Sequence, residues 1–377
     1  MISLSPTTRV ERYRTLVVGG GQAGLAVGYE LQQRDDDFLI VDGAAQLGES
    51  WRRRWDSLRL FTPAKYSALP GMPFPADPAS YPDKDQVADY MESYAERFDL
   101  PVRRNAPISS LSWNGKRFVL RSTETTFEAS NVVVATGPFQ SKRVPILASQ
   151  LSPHIHQLHS SEYVNPHLLP AGSVLVVGVG NSGAQIAMEL GRTREVWLAG
   201  QEVGHAPRRL AGRDLYDWTW PILTRATVET ALGRALQKRF RRGDPLIGIT
   251  RHQLVAAGVT RVGRVTGVRE GMPEAGATTI AADIVIWATG FAPDYQWINL
   301  PVFDERGLPR HRRGVVPEAP GLYFLGLRFQ SAYTSALLGG VGRDASYVAD
   351  LVTRNESAGS VTPRTSEPAG LQQQPAG

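Results

Sequence analysis

Six glycines, in two sets of three, carry the chemistry of this chain: Gly19-x-Gly21-x-x-Gly24 and Gly178-x-Gly180-x-x-Gly183. This spacing lets a backbone turn tightly and approach a pyrophosphate, which then sits on the N–H groups at a helix N-terminus, where the helix dipole favours negative charge. Each set follows an apolar run, Thr15-Leu16-Val17-Val18 in the first case and Val174-Leu175-Val176-Val177 in the second. Each opens a helix-compatible stretch, Leu25 to Gln33 and Ala184 to Leu190. Strand, turn and helix in that order are the context the motif requires, and two such sites imply two dinucleotides.

The first site can be read further. Phe38-Leu39-Ile40-Val41 leads into Asp42, about 20 residues beyond the glycines, where an acid hydrogen-bonds an adenosine ribose. A carboxylate there repels a 2′-phosphate, so the site suits FAD or NAD. The second site lacks that acid: Glu195-Val196-Trp197-Leu198-Ala199 ends in Gly200-Gln201, with Arg208 and Arg209 a few residues on. A nicotinamide dinucleotide is expected there, and NADPH and NADH both stay open.

The elements that position these residues repeat. Asn131-Val132-Val133-Val134-Ala135 reads as a buried strand closing in Thr136-Gly137, and Asp283-Ile284-Val285-Ile286-Trp287 as a second closing in Ala288-Thr289-Gly290. Ala-Thr-Gly therefore follows each fingerprint once. Gln86 to Phe98 predicts an amphipathic helix, Arg117 to Arg121 a strand, Gly321 to Gly326 another, and Ser335 to Val352 a closing helix. The last strand and helix complete the first sheet, so the second unit is an insertion. The expected fold is α/β, with two Rossmann-like dinucleotide-binding domains, the nicotinamide domain inserted into the FAD domain. Its bounds are residues 1–145 and 290–354 for FAD and 146–289 for nicotinamide, the latter carrying an aromatic insertion near 213–248, with a disordered tail over 355–377. Tyr216, Trp218, Trp220 and Leu223 in that insertion either cover a substrate entrance or pack as a hairpin on their own domain.

Composition narrows the chemistry. A chain of 377 residues has room for about two domains. It has no cysteine, which excludes disulfides, thiolate metal sites and dithiol relays, so redox work belongs to a bound cofactor. No apolar stretch reaches the roughly 18 residues that span a membrane, and a cytoplasmic location is expected. The net charge is +5. The basic runs Arg52-Arg53-Arg54 and Lys238-Arg239-Phe240-Arg241-Arg242 read as solvated faces or contacts to cofactor phosphates, with no nucleic-acid signature beside them. The histidines His154, His156, His159 and His167 lack the companion ligands of a metal site.

Together with these motifs, Gly48-Glu49-Ser50-Trp51, Trp55-Asp56-Ser57-Leu58-Arg59-Leu60, Leu69-Pro70, Phe74-Pro75, Gly180-Asn181-Ser182-Gly183-Ala184-Gln185-Ile186-Ala187 and Trp287-Ala288-Thr289-Gly290-Phe291 resemble the flavin-dependent monooxygenases. That family includes bacterial flavin-containing monooxygenases, Baeyer–Villiger enzymes and plant auxin-forming enzymes, and the similarity runs from about Thr15 to Leu351. The resemblance implies that NADPH or NADH reduces FAD and that a C4a-peroxyflavin inserts one oxygen atom of O2 into a small organic substrate. It places Gly19, Gly21, Gln22, Ala23, Gly24, Asp42, Ser50, Trp51, Thr136, Gly137 and Gly326 along FAD. Gly178, Gly180, Asn181, Ser182, Gly183, Gln201, Arg208 and Gly290 fall to the nicotinamide dinucleotide. Thr62 falls where several members carry an Asn beside the flavin. A family fingerprint between the domains keeps His159 and Tyr163, but Pro153 and Ile155 stand at its Phe and Gly positions. The expected partners are a small-molecule substrate and O2, with a homodimer allowed and neither nucleic acid nor membrane insertion. The alternatives are an FAD-dependent NAD(P)H oxidase or reductase that oxygenates nothing, and a nucleotide-sensing accessory flavoprotein of a transport system.

Overall fold

The computed structural model describes residues 9–240 and 243–355. The tail from 356 onward, and Arg241 and Arg242 of the second basic run, lie outside the described residues.

Two sheets organise the chain. The first has seven strands: Val102–Arg103, Phe38–Val41, Arg9–Val18, Thr125–Val134, Phe118–Arg121 and Ser110–Trp113 lie in that order, and Leu322–Phe324 pairs with Thr125–Val134. The second has five strands, Val259–Val262, Val196–Ala199, Val174–Val177, Ile284–Trp287 and His156–His159, every neighbouring pair parallel. A strand from beyond the second sheet thus returns to the first. Parallel sheets are buried on both faces, which is why their strands read as unbroken apolar runs such as Val174–Val177.

Element ends moved for local reasons. Arg9–Val18 begins well before the apolar run because its polar half, exposed or half-buried itself, still pairs with Thr125 to Ala129. The amphipathic helix starts at Lys84 rather than Gln86, because Asp83 caps it and Gln86 closes the capping box. The closing helix expected over Ser335 to Val352 is split into a 3-10 turn, Tyr333–Ala336, and a helix, Gly342–Arg354. Gly339 and Gly340 sit between them, with their α-carbons against the carbonyls of Tyr66 and Thr334, too close for any side chain.

The two crossings between the sheets lie side by side, Ser141–Lys142 pairing antiparallel with Phe291–Ala292. Between them in the chain, the backbone leaves the second sheet for helices Leu215–Arg225 and Ala231–Phe240. These pack on the first unit rather than as a hairpin on their own domain. Tyr66 lies 5.1 Å from Trp220 between ring centroids, Phe240 lies 4.6 Å from Tyr333, and Val228 donates its N–H to Ser331.

Candidate functional site

Both fingerprints have the same construction. Gly19 and Gly178 are left-handed, with φ of +108° and +119°, and each abuts the carbonyl of the alanine in an Ala-Thr-Gly turn, Ala135 and Ala288 respectively. The recurring phrase is thus the wall against which each first glycine turns. A β-carbon on Gly24 or Gly183 would run into the carbonyl of Gly19 or Gly178, so the third glycine lets helix and turn touch. Around Gly21 and Gly180 nothing lies within 4 Å of a β-carbon position. These middle glycines face open space at the N-termini of helices Gln22–Gln32 and Asn181–Leu190, neither of which has a side-chain cap or an acid in its first turn. Free N–H groups beside a bare backbone are what a pyrophosphate needs, so both cradles fit a dinucleotide.

The first cradle is braced from several sides. Asp42 Oδ2 accepts the Gly20 N–H at 2.5 Å, and Oδ1 accepts that of Ala44 at 2.7 Å. The carboxylate therefore holds the glycine turn at the end of its strand, an orienting role that spacing alone did not reveal. Gln22 donates to the Ala336 carbonyl at 2.8 Å, tying the first helix to the turn that precedes the closing helix. Left-handed Gly326 lies against the Ala23 side chain. Gln140 donates to Thr136 Oγ1 at 2.5 Å and to the Gly137 carbonyl at 2.9 Å, while its own oxygen accepts from Asp294. Ser50 is exposed on the short helix Glu49–Arg52, and half-buried Trp51 touches the cores of both units. Trp55 is buried in the second unit's core, with its indole N–H unpartnered among the described residues.

Around the second cradle the polar residues divide. Ser182 is exposed at the helix start, but Asn181 is engaged: its amide donates to Pro245 at 3.2 Å and accepts from Ile247 at 3.0 Å. It pins the exit of the helical insertion to the cradle. Gln201 is exposed after left-handed Gly200. Arg208 points elsewhere, its guanidinium 4.0 Å above the Tyr81 ring of the first unit. The cation beside Gly200 is Arg261, which donates to the Gly200 carbonyl at 3.2 Å from the neighbouring strand, and whose pKa burial pushes down. Its distance in sequence hid it.

Thr62 is buried, and its hydroxyl lies 2.9 Å from that of Ser67, itself fully buried and bonded to the Pro63 carbonyl. The insertion covers the segment just beyond. Asp217 takes an ion pair from Lys65 at 2.6 Å and a hydrogen bond from Tyr66 at 2.8 Å. Lys65 holds the Asp217 carboxyl below its usual range, while burial and Asp217 push the Tyr66 hydroxyl up to about 12. Tyr81 donates to Asp214, and Arg343 to the Thr224 carbonyl. A cavity of about 240 Å³ remains between Leu69, Pro70, Thr224, Thr334 and Arg343.

At the crossing, His159 is 1% exposed. Its Nε2–H donates to the Gly290 carbonyl at 3.0 Å, and Nδ1 accepts from the Ser161 N–H and hydroxyl. That tautomer is the one the network requires. Burial lowers the pKa of the ring. Among the described residues no group of three or more His, Cys, Asp or Glu side chains is placed to hold a metal ion, and no helix is long and apolar enough to cross a membrane.

Comparison with known proteins agrees with this geometry. Residues 16–326 match the family model described as pyridine nucleotide-disulphide oxidoreductase. The chain is 44% identical over 338 residues to a CzcO-like oxidoreductase of Geobacillus kaustophilus, covering 88% of this chain and 96% of that one. It is 29% identical over 394 residues to indole-3-pyruvate monooxygenase YUCCA4 of rice, covering 91% and 88%. Among solved structures, a flavin-containing monooxygenase from Stenotrophomonas maltophilia superposes with a TM-score of 0.75 at 28% identity, over 91% of this chain and 99% of that one.

Proposed function

The chain belongs to the pyridine nucleotide-disulphide oxidoreductase family, in its flavin-dependent monooxygenase group, and from that premise we propose how its two cradles divide the work. It binds FAD and NAD(P)H and uses O2 to oxygenate a small organic molecule. The disulphide chemistry in the family's name has no counterpart here, since the chain has no cysteine. The single observation that carries the reading is the doubled cradle, two open middle glycines at two uncapped helix N-termini.

We assign residues 1–145 and 290–354 to FAD and 146–289 to the nicotinamide dinucleotide, and we place the reaction in the cytoplasm. Bound FAD supplies the redox and oxygen chemistry. The residues of this chain orient and enclose. Gly21 and the N–H groups of its helix would hold the FAD pyrophosphate, Asp42 keeps the glycine turn in register, and Gln22 and Gly326 fix the first helix against the closing part of the chain. Gly180 and Ser182 receive the second dinucleotide. The insertion, held by Lys65, Tyr66 and Tyr81, covers the segment that follows Thr62 and so would limit the entry of water from that side, where it would compete with the substrate.

One observation favours a second reading, a plain NAD(P)H oxidase: Thr62 spends its hydroxyl on Ser67 and offers no amide. Oxygen electrode measurements with peroxide accounting separate the two. Oxygen consumed without matching peroxide, in the presence of a small nitrogen-, sulfur- or carbonyl-containing substrate that gains one oxygen, supports the monooxygenase. Stoichiometric peroxide with every substrate class would replace it with the oxidase, and negligible NAD(P)H turnover would indicate the sensing flavoprotein.

A further inference from the structure

The three arginines after Trp51 meet different fates. Arg52 pairs with Asp89 at 2.7 Å and with Glu92, and Arg53 pairs with Glu49. Arg54 has neither a side-chain hydrogen bond nor an ion pair among the described residues. It is partly withdrawn from water, with its guanidinium carbon 5.1 Å from the centroid of the Phe291 ring, which also meets His159 edge to face with ring centroids 4.8 Å apart. A ring face attracts a cation but accepts none of its five N–H groups in a strong hydrogen bond. The ring thus holds the charge in place without using its N–H groups, which remain open to an anion that arrives later.

Its position says which group. Phe291 follows the turn Ala288-Thr289-Gly290, and Ala288 is the wall of the second cradle. Strand Ile284–Trp287 is the immediate neighbour of Val174–Val177, whose carboxyl end opens into that cradle. Ligands of open parallel sheets lie in the crevice outside these strand ends. Arg54 belongs to the other unit and approaches the residue that follows this turn, so an anion lying between Arg54 and the cradle would be held by both units at once.

We propose that Arg54 is a cross-domain phosphate contact, taking an oxygen of the pyrophosphate of the nicotinamide dinucleotide and thereby drawing the two units together when that dinucleotide binds. The proposal rests on the assignment of the second cradle to this ligand. Desolvation lowers the guanidinium's pKa with no carboxylate to oppose it, consistent with a site whose counter-charge comes from outside. Of the groups nearby, His159 is held neutral by its hydrogen bonds and burial, and Lys142 is paired with Glu162, so the charge offered to an anion is that of Arg54.

The test uses the FAD-loaded full chain and calorimetric titration with ADP-ribose and with NADP+, neither of which needs turnover. Arg54→Gln should bind both about ten- to a hundred-fold more weakly, the range of one charge-assisted hydrogen bond, with unchanged FAD content. Arg54→Lys should recover part of the loss, since it keeps the charge without the fork. Raising salt should weaken the wild type more than Arg54→Gln. ADP-ribose binding equal to wild type in Arg54→Gln would overturn the proposal, and so would loss of FAD in that variant, which would place Arg54 on the other cofactor. A wild-type protein that binds neither nucleotide would overturn the assignment of the second cradle along with it.

Discussion

The carbonyl oxygen of Ala135 stands 2.7 Å from where a β-carbon on Gly19 would lie. The glycine turn and the Ala-Thr-Gly turn are therefore one packed unit, and the three glycines of a fingerprint have separable duties. Gly19 and Gly24 are required by the protein itself, whereas Gly21 is bare toward the ligand.

Gly21→Val should consequently fold with near wild-type stability of the apoprotein, within about 0.5 kcal/mol beyond the propensity cost at the helix cap, and hold no FAD. Gly24→Ala should lose stability as well as cofactor, by about 1–3 kcal/mol, from backbone overpacking. Flavin content and thermal unfolding of apoprotein decide it. Flavin retained in Gly21→Val would mean the cradle is misassigned.

For the nicotinamide dinucleotide, exposed Gln201 brings no charge to the ribose, and Arg208 is occupied with Tyr81. NADPH and NADH should both reduce the protein. Gln201→Arg should shift the ratio of kcat/KM toward NADPH by about ten- to a hundred-fold, the worth of one charge-assisted contact. Arg208→Ala should leave the ratio unchanged. A change with Arg208→Ala, or none with Gln201→Arg, would mean that other residues read the 2′ position.

The insertion offers a third expectation. Removing its anchor with Asp217→Asn, or its aromatic contact with Trp220→Ala, should leave FAD content intact while raising peroxide released per NAD(P)H oxidised, because a looser cover admits water. Limited proteolysis near 211–213 and 226–230 should quicken in both variants. Unchanged peroxide yield with faster proteolysis would show that the insertion is mobile yet irrelevant to coupling.

The cradles were legible because their determinants are local. Glycine spacing, the apolar runs and the acid ending Val41-Asp42 all lie within about 25 residues, and the two Ala-Thr-Gly phrases announced their own kinship. What stayed hidden depends on distant partners. Glu49 four residues before Arg53 makes that pair readable, but nothing in the sequence says that Arg52 is paired and Arg54 left over, because Asp89 and Glu92 are supplied by a helix whose docking is a tertiary event. Similarly, Lys65 and Asp217 are separated by a whole sheet in sequence, so the insertion could be recognised as unusual but not placed. Arg208 and Arg261 show the same limit: the nearer in sequence faces Tyr81, and the farther reaches Gly200.

His159 gives a pH dependence with a definite sign. Its pKa is lowered in the folded protein, so below about pH 6.5 the unfolded chain takes up a proton that the folded one refuses. Stability should fall as pH drops through that value, with a slope of at most about 1.4 kcal/mol per pH unit from this residue, and level off once the folded form is protonated too. His311, also lowered by burial, contributes in the same direction. Thermal melts of wild type and His159→Gln from pH 8 to pH 5 isolate the contribution: the variant should show the shallower decline. Parallel curves would mean that folding does not lower the His159 pKa.

The pairing of Ser141–Lys142 with Phe291–Ala292 reaches beyond catalysis. Because both crossings run side by side, the inserted unit leaves and rejoins its host through a doorway one strand pair wide, about 5 Å between α-carbons. The ends of residues 143–290 are therefore adjacent, yet the segment is not self-contained: Trp55 and Leu58 of the host are buried in its core, and its helical insertion packs back on Tyr66 and Tyr333. Two units joined at so narrow a doorway are held in place by what each lends to the other's interior.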